Sequence, residues 1–132
     1  MSHYIANLRD IEFCLFDLLG REKVMGIAPY GDVDRDTSVG MLEEMKRLCE
    51  NDLADSFVEG DRVGTVFNKE TGNVTLPESF KKSYKAYVDG EWWRLDAPVE
   101  LGGMKVPPSV RWAMAEMVLG SNPAIHIYAS GY

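Results

Sequence analysis

The sequence has few of the residues from which most metal sites and nucleophile sites are built. It contains two histidines and two cysteines, and no pair among them has the spacing of a zinc motif. No serine lies in a Gly-x-Ser-x-Gly turn, and no glycine-rich segment has the spacing of a phosphate loop. These absences argue against a zinc protein, a self-contained nucleophilic enzyme and a nucleotide-binding domain.

Clustered positive charge and long apolar runs are also scarce. The formal net charge is −7 at pH 7 and the basic residues are dispersed along the chain, so nucleic acid is not expected as a partner. No stretch approaches the ~20 apolar residues of a membrane span. The amino terminus has no basic segment followed by an apolar run, so the protein is expected to be cytoplasmic.

The composition that remains is typical of one packed domain. Apolar residues make up 45% of the 132 residues, and a chain of this length buries roughly two thirds of the surface that its unfolded form exposes. Cys14 and Cys49 lie among apolar residues at helical spacing. We therefore expect them to be reduced thiols in a core rather than a disulfide pair.

Apolar residues recur at helical spacing in five segments, and prolines, glycines and capping residues mark their ends. The predicted helices are Leu8 to Leu19, a longest helix from Asp34 or Asp36 toward Phe57, Pro77 to Gly90, Pro107 or Pro108 to Gly120, and one that begins at Pro123. The stretches 21–33 and 91–106 are predicted to be connectors, the first with a short helical turn.

Two short β-prone pieces interrupt this helical pattern. Thr65-Val66-Phe67 and Val74-Thr75-Leu76 flank a turn at Glu70-Thr71-Gly72-Asn73, which predicts a small hairpin near residues 65–76. The predicted fold class is therefore all-α with one possible hairpin.

The segment from Asp32 to Glu43 matches part of a calcium-binding pattern. Its acidic residues occupy the first, third, fifth and twelfth positions of a calcium loop. The sixth position is normally glycine because it adopts a positive φ, and here it is β-branched Thr37. The favoured interpretation is an acidic helix start, where carboxylates meet the positive end of the helix dipole, and no metal ligand is assigned.

Five segments of the chain are informative because they occur together in a particular order, although none of them is specific alone. They are Met1-Ser2-His3-Tyr4 with Asn7 to Phe13, Ser56 to Arg62, Leu76 to Lys82, Pro98-Val99-Glu100-Leu101-Gly102-Gly103, and Gly120-Ser121-Asn122-Pro123-Ala124. Together they resemble the acyl-CoA dehydrogenase family, in its larger bacterial branch with an amino-terminal extension. The fourth segment is similar to the family's Pro-Glu-x-x-Gly-Gly turn, and the fifth resembles the approach to the helix that lines the acyl pocket.

The resemblance implies a division of the chain and a parent activity. Residues 1–33 would be an extension helix with a connector, and residues 34–132 an incomplete amino-terminal helical domain. The FAD-binding β-domain and the catalytic carboxy-terminal domain would be absent, so no catalytic or cofactor-binding residue is assigned. The parent would use FAD to oxidise acyl-CoA to trans-2-enoyl-CoA, while this segment alone would be inactive and free of flavin.

By position, the resemblance also points to Ile125, Tyr128 and Ala129 as part of a wall for the acyl tail of the substrate. An apolar helix face suits such a lining, and it equally suits a core. The last helix has no stop signal before Tyr132, which indicates truncation, and uncovered apolar faces would then favour a homo-oligomer. The alternative function is a free-standing helical binding module that partners a flavin-bearing subunit.

Overall fold

A computed structural model describes residues 2–95 and 97–130 of the chain, and these residues are mostly helical. The α-helices are α1 (Leu8–Glu12), α2 (Arg35–Leu48), α3 (Phe57–Val63), α4 (Glu78–Asp89), α5 (Pro108–Ser121) and α6 (Pro123–Ser130). Antiparallel strands β1 (Val66–Phe67) and β2 (Val74–Thr75) form a hairpin in which Val66 lies opposite Thr75. The all-α prediction and the hairpin near residues 65–76 are both confirmed.

Shorter helical turns connect these elements. Phe13–Leu18 and Cys49–Leu53 are π-helical continuations of α1 and α2, and tight helical turns occur at Arg21–Val24, Ala54–Ser56, Trp92–Leu95 and Val99–Leu101. The helix expected to run from Asp34 to Phe57 is therefore not one α-helix, because α2 ends at Leu48. A π-helical turn widens a helical path, and the tight turn at Ala54–Ser56 separates it from α3.

The acidic segment from Asp32 to Glu43 contains the cap and the first turns of α2. Asp34 is the capping residue, and its carboxylate accepts a hydrogen bond from the Thr37 backbone N–H at 2.8 Å. Hydrogen bonds from Thr37 lower the pKa of Asp34 below its ordinary value. Residues 35–43 are helical, so the structure supports the interpretation of this segment as an acidic helix start.

The core lies where α2 crosses α5, with α1, α4 and α6 packed around them. Leu42 and Met45 of α2 meet Met114 and Met117 of α5, and each of these side chains is almost fully buried. Cys49 is also fully buried, and burial raises the pKa of its thiol to about 12, so it stays neutral and unreactive. The expectation of a core thiol is confirmed for Cys49, while Cys14 is half-buried and also free.

The turn at Gly102 and Gly103 requires both glycines. Gly102 has a φ of +85°, which places it in the left-handed region. A Cβ atom at Gly103 would lie 1.7 Å from the Ala97 carbonyl oxygen, so no larger residue fits. Among the described residues, no helix has the length and apolar character needed to cross a membrane.

Candidate ligand groove

An open groove of about 460 Å³ lies between α3, the base of the hairpin, α4 and α6. This volume is within the range of sites that hold small organic ligands. Its apolar lining consists of Phe57, Leu76, Pro77, Phe80, Ala124, Ile127 and Tyr128. We call this feature the groove.

An aromatic cluster holds α6 against α4 along one side of the groove. The ring of Tyr128 meets Phe80 edge-on, with centroids 5.8 Å apart, and meets Tyr84 edge-on at 5.1 Å. Such edge-to-face pairs add to the free energy gained by burying the rings. Tyr128 nevertheless keeps 56% of its surface exposed, so it borders the open space as well as packing against α4.

The structure places the three residues expected to line an acyl pocket on different surfaces. Tyr128 lines the groove, whereas Ile125 is fully buried in the core and Ala129 is half-buried against it. Helical spacing accounts for this division, because residues 124, 127 and 128 share one face of α6 while 125 and 129 share another. Sequence reasoning therefore missed Ala124 and Ile127, although the same spacing could have grouped them with Tyr128.

The polar residue that positions this wall is Asn122, between α5 and α6. Its side chain is buried, and Nδ2 donates hydrogen bonds to the Leu53 carbonyl and the Ser56 hydroxyl, both at 3.0 Å. Its Oδ1 accepts a hydrogen bond from the Ile125 backbone N–H at 3.3 Å, which caps the start of α6. One amide thus ties α6 to the helical path that leads into α3.

Two serines make similar contacts with the same part of the chain. The Ser121 hydroxyl donates to the Cys49 carbonyl, and the Ser83 hydroxyl donates to the Asp52 carbonyl, both at 2.6 Å. Together with Asn122 they bind three backbone carbonyls in residues 49–56, a segment that we call the joint. The joint leads directly into α3, and α3 forms one side of the groove.

The chemistry of the groove favours binding over catalysis. Asp61 contributes a carboxylate to a lining that is otherwise mostly apolar. Within residues 2–95 and 97–130, no group of three or more His, Cys, Asp and Glu side chains could hold a metal ion. A mostly apolar lining of this kind suits an apolar chain, which would displace water from it on binding.

Comparison with known proteins shows that this chain is similar to one part of each of two longer proteins. It is 49% identical over 131 residues to a broad-specificity linear acyl-CoA dehydrogenase of Mycobacterium tuberculosis, covering 99% of this chain and 21% of that protein. It is 36% identical over 115 residues to a 3-methylmercaptopropionyl-CoA dehydrogenase of Ruegeria pomeroyi, covering 87% of this chain and 19% of that protein. No family model matches the chain. The chain therefore spans about a fifth of the length of these two relatives.

Proposed function

We propose that this chain, related in sequence to a segment of the acyl-CoA dehydrogenases, forms the amino-terminal helical part of a flavin-dependent member of that family. The observation that carries the proposal is the identity of 49% over almost the whole chain with an acyl-CoA dehydrogenase. In this proposal residues 1–33 are an extension, and residues 34–132 belong to the helical domain. FAD and the catalytic base are supplied by other parts of the parent protein.

The role proposed for the groove is to receive part of the acyl tail of the substrate. Tyr128, Ala124 and Ile127 would face the tail, with Ile125 and Ala129 packed behind them as support. Ile127 keeps 69% of its surface exposed, so an apolar partner that covers it would gain free energy from the burial. An acyl chain is such a partner, and the relatives act on acyl-CoA thioesters according to their names.

A chimeric enzyme tests the dehydrogenase assignment. In it, these 132 residues replace the matching segment of the Mycobacterium relative. We expect a protein that binds flavin and reduces an artificial electron acceptor in the presence of acyl-CoA. A folded, flavin-loaded chimera without this activity, beside an active unmodified relative, would contradict the assignment.

A substitution at Gly60 tests the groove. Gly60 lies on α3 and lines the groove, and a Cβ atom there would be 3.8 Å from the Phe80 ring, so the rest of a leucine side chain must enter the open space. In the chimera, Gly60→Leu should lower kcat/KM about tenfold for long acyl chains, with little change for short ones. Equal losses at every chain length would argue against a tail-binding groove.

Gly40 offers a matched control for this substitution. It also lies inside an α-helix, is exposed, and has no atom within 4 Å of the position that its Cβ would take. Gly40→Leu should therefore leave the dependence on chain length unchanged. If Gly40→Leu changes that dependence as Gly60→Leu does, the effect comes from helix propensity rather than from filling the groove.

A further inference from the structure

The segment that precedes α1 packs on the outer side of the groove wall. We call residues 2–7 the strap. The backbone N–H of Ala6 donates a hydrogen bond to Glu50 Oε1 at 2.9 Å. The ring of Tyr4 covers Gly120 so closely that a Cβ atom there would lie 2.5 Å from it. These two contacts hold the strap against the joint and the end of α5.

Within the strap, His3 contacts both α3 and the end of α5, from which the α6 wall of the groove begins. Its ring stacks on Phe57 with centroids 4.5 Å apart and an angle of 24° between the planes. Its Nε2 lies 2.9 Å from the Ser121 carbonyl oxygen, and because a carbonyl only accepts, Nε2 is the donor of this hydrogen bond. His3 thus joins the first residue of α3 to the last residue of α5.

Both partners of His3 lead directly into the groove. Phe57 lines it, and so does Asn122, which follows Ser121 in the chain. Neither contact has an evident role in the core, because His3 is itself exposed. The stacking contact fixes the Phe57 ring from behind, and the hydrogen bond fixes the turn from which α6 starts.

We propose that His3 is a positioning residue that sets the separation of the α3 and α6 walls of the groove and so controls how tightly an apolar chain is held there. The role in binding rests on the proposed function of the groove, whereas the effect on its shape does not. The strap reaches the ligand only through Phe57 and the α5–α6 turn.

The test uses the 132-residue chain and a dansyl-labelled fatty acid as the probe, with decanoate as competitor. His3→Ala should weaken binding of the probe about threefold. His3→Phe keeps a ring on Phe57, and His3→Gln keeps a donor for the Ser121 carbonyl, so each should restore part of the affinity. A residue that acts only on folding would lower stability in all three variants and leave the affinity of the folded protein unchanged.

Ser38→Ala is the matched control for loss of stability. Its buried hydroxyl donates to the Asp34 carbonyl at 2.8 Å, in the first turn of α2, and Ser38 does not line the groove. This variant should unfold more easily than the parent chain and bind the probe equally well. If it weakens binding as much as His3→Ala does, the proposal for His3 is overturned.

A measurement without ligand separates this inference from the proposed function. In the unliganded chain, His3→Ala should shift the NMR signals of the Ala124 and Ile127 methyl groups, which line the groove. Unchanged signals would overturn the inference, whatever the probe does. Shifted signals in a chain that binds no probe would instead confirm the positioning of the walls and contradict the proposed use of the groove.

Discussion

The joint, residues 49–56, and the hairpin, residues 66–75, lie on either side of α3 and obtain their hydrogen bonds from different parts of the chain. The joint receives side-chain hydrogen bonds from Ser83, Ser121 and Asn122, which are 31 to 72 residues distant in sequence from their acceptors. These donors are buried. The shape of the joint is therefore set by tertiary packing.

The hairpin is specified within its own turn. Asn68 Oδ1 accepts hydrogen bonds from the backbone N–H groups of Glu70 and Thr71 at 2.9 and 3.1 Å, and Gly72 adopts a φ of +72°. The strands bury little, since Val66, Phe67 and Val74 each keep more than half of their surface exposed. A two-stranded hairpin without a packed face is marginally stable in water.

This contrast indicates that the joint and the hairpin contribute differently to the stability of the domain. The joint sets the course of the chain and thus the wall of the groove, so its loss should affect the whole domain. The hairpin is held by local contacts, so its loss should change the stability of the hairpin alone. Substitutions in each region can test this division.

The largest effect is expected from Asn122→Ala. The change leaves the Leu53 carbonyl and the Ser56 hydroxyl without their shared donor and removes the cap from α6. Because these groups are buried, we expect the free energy of unfolding to fall by about 3 kcal/mol. Urea denaturation followed by circular dichroism would measure this loss.

Asn51→Ala provides the comparison for that change. Asn51 also donates to a carbonyl, that of Arg47 at 2.7 Å, but the bond is exposed to solvent. Its removal should cost less than about 1 kcal/mol, because water replaces the lost partner. Equal costs for the two variants would show that burial of the joint does not determine its stability.

A smaller effect is expected from Ser83→Ala on α4. The Ser83 hydroxyl is buried and bonds to the Asp52 carbonyl at 2.6 Å, so the change should cost about 1.5 kcal/mol. Ser79 lies one turn earlier on the same helix, and its hydroxyl has no hydrogen-bond partner among the described residues. Ser79→Ala should thus cause no loss of stability, because it removes a buried hydroxyl that makes no hydrogen bond, and a loss equal to that of Ser83→Ala would contradict our account of the joint.

The same contrast explains what the sequence could predict. The bounds of α4 followed from Pro77 and Gly90, and the hairpin followed from the cluster around Gly72, because these signals act through neighbouring residues. The π-helical turn at Cys49–Leu53 contains no glycine or proline. Its shape depends on hydrogen-bond donors that are distant in sequence, so no local sequence pattern could predict it.

The groove shows the same limit at the level of a single helix. Ile125 and Ile127 are equally apolar, yet the first is fully buried and the second is 69% exposed. Periodicity shows which residues of α6 share a face, but it does not show which face turns toward α5. That choice is made by Asn122 and by the contact of Tyr128 with α4, which only the folded chain reveals.

The smallest and most local effect is expected from Gly72→Ala in the hairpin. An alanine at a φ of +72° is strained by about 1 kcal/mol, and this cost should appear only where the turn is formed. Hydrogen exchange at the amides of residues 66–75 should accelerate about fivefold, while the midpoint of urea denaturation stays nearly constant.

Gly31→Ala is the control, since Gly31 lies in a loop without a positive φ and with no atom within 4 Å of its Cβ position. If Gly72→Ala lowers the denaturation midpoint as Ser83→Ala does, the hairpin is coupled to the core, and the division between joint and hairpin fails.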